Sequence, residues 1–181
     1  MILLYDTAIR IAELLELKIS ALKLTSVPSI HIHGKGDKER SVSITDATVS
    51  HLKKYLRQFH PEMLPDQPLF YTKIKGSIAP MSPGNVSRII NKYADAIRSE
   101  HPNLPKHLHC HMFRRTRATG LYRNGVELEM ISVILGHSST ETTRIYATPS
   151  IEMLGEAMST ANSTIPDETP EWEENEDELA R

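Results

Sequence analysis

Residues 111–146, HMFRRTRATGLYRNGVELEMISVILGHSSTETTRIY, read as three short helices separated by glycine. His111 to Asn124 is stopped by Gly125, Glu127 to Leu135 by Gly136, and Ser139 to Tyr146 follows. Glycine just past an apolar periodic run is the usual helix stop, because it enters the left-handed conformation at no steric cost. The stretch is helical but polar. Tyr146 ends a short polar helix, which can place it at a cleft.

Working toward the N-terminus, Ser82 followed by Pro83 is a cap and first-turn signal for a helix to about Ser99, with Val86, Ile89, Ile90, Tyr93 and Ile97 facing inward. Asp46 can cap a helix to about Phe59 carrying Val49, Leu52, Leu56 and Phe59 on one face. A Pro-punctuated loop joins the two. Ser29–His33 and Arg40–Ile44 flank the turn residues Gly34, Gly36 and Asp37, the pattern of a hairpin with Lys35 and Lys38 at or near its tip. Ile2, Leu3, Ile9, Leu14, Leu15 and Leu17 fall roughly on one helical face, so the chain opens inside a helix-like pattern and the start of its domain is expected to be missing. Toward the C-terminus, Pro149 marks a break before an amphipathic helix around Ile151 to Met158.

A chain of 181 residues has the length of one ordinary domain, and 39% hydrophobic with 24% charged residues supports a core. The expected class is mainly α with a small antiparallel β-sheet, a domain over residues 1–160 and an acidic, disordered tail over 161–181. The formal net charge of −2 is unevenly placed: Asp167 to Arg181 carries −7, leaving +5 and all nine histidines on the rest. The body is mildly basic, compatible with a nucleic-acid partner. No apolar run approaches the roughly 20 residues of a membrane span and no secretory signal pattern opens the chain. The single Cys110 excludes an internal disulfide framework, and a cytoplasmic setting is expected.

Four pieces carry chemistry-bearing residues: Thr7–Glu13 with Arg10, Gly34–Arg40 with Lys35, His111–Arg115 with Arg114, and Leu135-Gly136-His137 with Tyr146 nine residues on. Two arginines present planar, permanently charged forks that can bond phosphate oxygens in pairs, meeting the charge of a five-coordinate phosphoryl transition state without a metal. A tyrosine can form a covalent phosphoester that conserves bond energy for rejoining, although a phenol with a pKa of ~10 requires a base or a positive field. His111 lies one helical turn before Arg114 and shares its face. His137 can bond a phosphate oxygen or position the tyrosine. Each residue also has an ordinary structural reading: a helix-surface arginine, a packing tyrosine, a structural histidine, a solvated turn lysine. Lys38, Arg40, Arg115, Arg117 and Arg144 can neutralise neighbouring phosphates or stand as plain solvated charges. His107, His109, Cys110 and His111 lack a second ligand pair at a metal-site spacing, so no metal is expected there.

Order and spacing of these pieces, over about residues 2 to 158, resemble the tyrosine recombinase (phage integrase) family. That family shows an arginine in a T-G-L-R-x-x-E box, a lysine in a G-K-G hairpin, an H-x-L-R-H box, an L-G-H box, and a tyrosine nine residues after the last histidine. Ala8, Phe113 and Arg115 depart from the usual glycine, leucine and histidine. The resemblance implies the family's DNA breaking-rejoining fold and site-specific strand exchange through a 3′-phosphotyrosyl link to Tyr146. It implies Arg10, Arg114 and His137 at the phosphate, His111 as proton acceptor, Lys35 as general acid and Glu13 in support. No cofactor is implied. The implied partners are double-stranded DNA, three further protomers engaged through the last helix, and accessory DNA-bending proteins. Two alternatives stay open: a catalytically silent DNA-binding remnant, and type IB topoisomerase-like relaxation. A metal-dependent nuclease fits poorly, because no carboxylate cluster is evident to hold its ions.

Overall fold

The computed structural model describes residues 1–34, 38–149 and 151–162. Its elements run α1 (Ile2–Asp6), α2 (Ile11–Glu16), a 3-10 turn (Ile19–Ala21), β1 (Leu22–Lys23), β2 (Ser29–Gly34), β3 (Lys38–Ser43), α3 (Asp46–Phe59), β4 (Tyr71–Ile74), β5 (Ser77–Pro80), α4 (Pro83–Ile97), α5 (Cys110–Arg123), α6 (Leu128–Leu135), α7 (Glu141–Arg144) and α8 (Ile151–Asn162). Two compact units divide after Thr148. Lys35 and the acidic C-terminal segment lie outside the described residues. No helix among the described residues is long and apolar enough to cross a membrane.

The helix-rich architecture with small antiparallel sheets agrees with the expected class. In the first unit, β1-β2-β3 form a three-stranded antiparallel sheet and β4-β5 a separate hairpin. Alternation along β2 sends Ile30 and Ile32 into the core with no exposed surface, where they join Val42 of β3, Val49, Leu52 and Leu56 of α3, and Val86 and Ile90 of α4. Each such burial contributes about 1.5–3 kcal/mol, which is why this cluster can hold the short N-terminal helices Leu3, Leu4 and Leu14 belong to. A smaller cluster gathers Ala8, Ala118, Ile131, Leu135 and Tyr146.

Four local expectations are corrected. The N-terminal apolar pattern is two helices rather than one. Thr7 donates its hydroxyl to the Leu3 carbonyl at 2.8 Å, Ala8 turns to φ 50°, and Arg10 is extended with its N–H donated to Glu13 Oε2 at 3.0 Å. The cap of α3 is Thr45, which accepts from the Thr48 N–H and is itself held by the Asp6 carboxylate at 2.8 and 3.0 Å; Asp46 is the first helical residue. On α4 the buried stripe is Val86, Ile90 and Ala94, spaced by four, while Ile89, Tyr93 and Ile97, one position back, form an adjoining exposed stripe. The stretch read as a Pro-punctuated loop contains β4 and β5, joined by Lys75 and Gly76 at φ 49° and 85°, the two positive values of a tight hairpin turn.

The second unit is described by itself: α8 is amphipathic, with Ile151, Leu154 and Met158 exposed.

Candidate active site

The last carbonyls of a helix have no intrahelical donors and sit at its negative end. At the end of α6, three consecutive carbonyls are each taken by an arginine from another part of the chain. Arg40 Nε donates to Ile134 O at 3.1 Å, Arg114 Nη2 to Leu135 O at 2.7 Å and Arg10 Nη2 to Gly136 O at 3.1 Å. Three guanidinium groups this close repel one another, and Glu13, only 5% exposed, offsets that repulsion. It accepts from Arg40 at 2.7 and 3.1 Å and from Arg10 Nη1 at 2.9 Å. Burial raises the Glu13 pKa, but the hydrogen bonds from Arg40 and Arg10 outweigh it and hold the carboxyl below its ordinary range.

Arg114 is 3% exposed and also donates Nη1 to Ala8 O at 2.6 Å, a carbonyl made available by the break between α1 and α2. Burial and the positive charge of Arg10, partly offset by Tyr146 and Glu13, lower its pKa to about 10, so it stays charged at neutral pH. Arg114 Nη2 also stands 2.8 Å from His137 Nε2. Because arginine only donates, Nε2 must be the acceptor, and the ring proton lies on Nδ1, which donates to Thr143 Oγ1 at 2.9 Å. Burial first, then the charges of Arg114, Arg10, Arg40 and His111, push His137 down to about 4, so it is neutral at pH 7. Gly136 suits its place twice over: its φ is 62°, and a Cβ there would lie 2.7 Å from Arg40 Nη1.

The Tyr146 ring stacks over His137 with centroids 6.3 Å apart and planes 20° apart. Tyr146 is just past α7, which covers Glu141–Arg144 rather than the whole of Ser139 to Tyr146, and its N–H donates to Thr143 O at 3.0 Å. It is 4% exposed, packed with Ala8, Ala118, Ile131 and Leu135.

Arg10, Glu13, Arg114, His137 and Tyr146, from three distant stretches, thus come together. His111 is exposed in the first turn of α5, one turn before Arg114. Of the five cations expected toward phosphates, Lys38, Arg115 and Arg144 face solvent, Arg144 beside Glu141 at 3.3 Å. Arg40 is instead turned inward onto Glu13, and Arg117 reaches Asp6 at 3.5 Å and lies 5.6 Å from the Tyr5 ring centroid. Sequence reasoning missed Thr143, which is fully buried beneath His137. Its one signal is its place three residues before Tyr146, which Thr140 and Thr142 nearby do not share.

The family model described as the phage integrase family matches residues 1–153. A tyrosine recombinase of Agathobacter rectalis is 40% identical over 145 residues, covering 80% of this chain and 44% of that protein. Tyrosine recombinase XerC of Rickettsia bellii is 32% identical over 162 residues, covering 90% and 50%. Among solved structures, XerA recombinase superposes with a TM-score of 0.71 at 29% identity over 88% of this chain and 54% of that one. XerH bound to its difH substrate in a pre-cleavage complex gives 0.64 at 30% identity over 87% and 44%. The chain spans about half the length of the curated relatives it matches. With its described fold that of a tyrosine recombinase catalytic domain, the chain belongs to the phage integrase family.

Proposed function

We propose that this chain is the DNA-cleaving part of a site-specific recombinase, with residues 1–160 as its catalytic domain and Tyr146 as nucleophile. The observation that carries this reading is the convergence of Arg10, Arg114, His137 and Tyr146 on the end of α6. The Tyr146 oxygen forms a bond to phosphorus as the bond from phosphorus to the 5′ oxygen breaks. The phenolic proton passes to His111, and Lys35 supplies a proton to the departing 5′ oxygen, which leaves as a hydroxyl. Arg10, whose side chain is 40% exposed, offers the more accessible fork to the nonbridging oxygens, and Arg114 supplies fixed charge from behind. His137, neutral and accepting from Arg114, fixes the orientation of that guanidinium. A second 5′ hydroxyl reverses the step, so neither metal nor ATP is required.

The partner is double-stranded DNA. The XerH neighbour is described as bound to its difH substrate, and Lys38, Arg115 and Arg144 offer outward charge for a phosphate backbone. Tyr146 is 4% exposed, so in this reading its side chain moves outward to meet a phosphate when DNA binds. The exposed apolar residues of α8 suit docking on a neighbouring protomer in a tetramer on paired sites, with accessory DNA-bending proteins assisting.

Nicked suicide duplexes carrying the ends of the parent element, incubated with the protein, should yield an SDS-resistant protein–DNA adduct that Tyr146→Phe abolishes. An adduct that survives Tyr146→Phe, or none on sites the protein demonstrably binds, would overturn the reading. Plasmid relaxation without strand exchange would redirect it to a topoisomerase.

A further inference from the structure

The outer face of the β2–β3 hairpin carries a side-chain cluster that the arginine site does not use. Because Ile30 and Ile32 point into the core, His31 and His33 share the opposite face of β2. Across the sheet, Glu39 pairs in register with His33 and Ser41 with His31. The Glu39 carboxylate faces both rings, with Oε1 3.0 Å from His33 Nδ1 and Oε2 3.3 Å from His31 Nε2. The rings meet edge to face at 5.1 Å, and one donor atom from each of the three residues lies within 4.8 Å of the others.

We propose that His31, His33 and Glu39 bind a zinc-class divalent ion that clips β2 to β3. Zinc takes imidazole nitrogen and carboxylate oxygen at roughly 2.0–2.2 Å, which sets the edges of its ligand tetrahedron at about 3.4 Å. The two histidine–carboxylate contacts of 3.0 and 3.3 Å are close to that edge, and the third separation, within 4.8 Å, closes onto it by rotation of the exposed side chains. Two nitrogens and one carboxylate disfavour magnesium and calcium, which take oxygen sets. An outer-shell partner is also present: His31 Nδ1 is 3.3 Å from Ser41 Oγ, so a ring that gives its Nε2 lone pair to a metal can donate its Nδ1–H to that hydroxyl. Three protein ligands leave a position open to water. Among the described residues no other group of histidine, cysteine and carboxylate side chains converges in this way.

The consequence follows from where the ligands sit. They span the strand ends that adjoin residues 35–37, and Glu39 precedes Arg40, whose side chain points inward to Glu13. A bound ion would therefore hold β3 from the outside next to the residue that anchors it inside.

The full chain would be titrated with cobalt(II) chloride, reading its visible absorption, and then with zinc chloride to displace it. His33→Ala, Glu39→Gln and their combination would be compared with a His107→Ala/His109→Ala control, with circular dichroism verifying that each is folded. All substituted residues are exposed. One equivalent of cobalt, displaced by zinc, is expected for the unaltered chain and the control, with affinity falling about tenfold or more in each hairpin variant. Equal binding by the His33→Ala/Glu39→Gln combination, loss only in the control, or no cobalt signal from the unaltered chain would overturn the proposal.

Discussion

Ile30, Ile32 and Ile90, between the sheet and helices α3 and α4, are as thoroughly buried as Arg114 and Glu13 at the end of α6, but the two regions are held by opposite means. The first is a set of interchangeable aliphatic contacts, each proportional to area and indifferent to direction. The second is a set of named partners: three arginines, one carboxylate, four carbonyls and a neutral histidine, each with a donor or acceptor already committed. Loss of a methylene in the first leaves a small cavity. Loss of one charge in the second leaves the others desolvated and mutually repelling. The apolar region therefore supplies stability, while the polar region supplies position, and the two should fail differently.

The sharpest contrast is a change that preserves shape. Glu13→Gln removes one charge with almost no change in volume and should cost about 3–5 kcal/mol in urea unfolding, because Arg40 and Arg10 are left without their counter-ion. A cost below about 1 kcal/mol would erase the distinction between the regions. Ile30→Val removes one methylene from the apolar cluster and should cost only about 0.5–1.5 kcal/mol in the same measurement.

Acidity probes the polar region through His137. His137 titrates at about 4 in the folded chain against an ordinary 6.5, so between those values the unfolded chain binds a proton that the folded chain refuses. The His137 contribution should be constant above pH 6.5 and decline as pH falls from 6.5 toward 4. His137→Gln, which keeps an acceptor for Arg114, should shrink that slope; an unchanged slope would place the titrating group elsewhere.

The smallest effect is expected where the regions meet. Ala8 carries φ 50°, and Ala8→Gly relieves a left-handed penalty of about 1–2 kcal/mol. It also gives up a fully buried methyl worth about 0.8 kcal/mol and frees the unfolded backbone by a further 0.4–1 kcal/mol. The melting temperature should barely move, and a large shift either way would mean one of the opposing effects is missing.

Much of this was legible in the sequence where the signal is local. The hairpin of β2 and β3, the Ser82-Pro83 start of α4 and the glycine stops of α5 and α6 are short-range patterns, and they appear where they were read. β4 and β5 are only four residues each, inside a stretch that Pro61, Pro65, Pro68 and Pro80 make read as a loop. The inward stripe of α4 was drawn too wide because composition gives a period but not the width of the surface it meets. At the site, the residues named for chemistry were found by spacing and family resemblance. Their arrangement was not: the partners of Arg40 are 27 and 94 positions away, and nothing near residue 40 distinguishes an inward guanidinium from a solvated one. The covering of Tyr146 depends in the same way on Ala8 and Ala118, both remote in sequence.

The short carbonyl-bearing end of α6 serves as a common datum for cations up to 126 positions away. Loops elsewhere in the chain can therefore lengthen or shorten without moving one guanidinium relative to another, since each is located by the helix end and not by its predecessor. A lineage carrying such a site is free to remodel its outer surface toward new targets while the spacing of its charges is inherited intact.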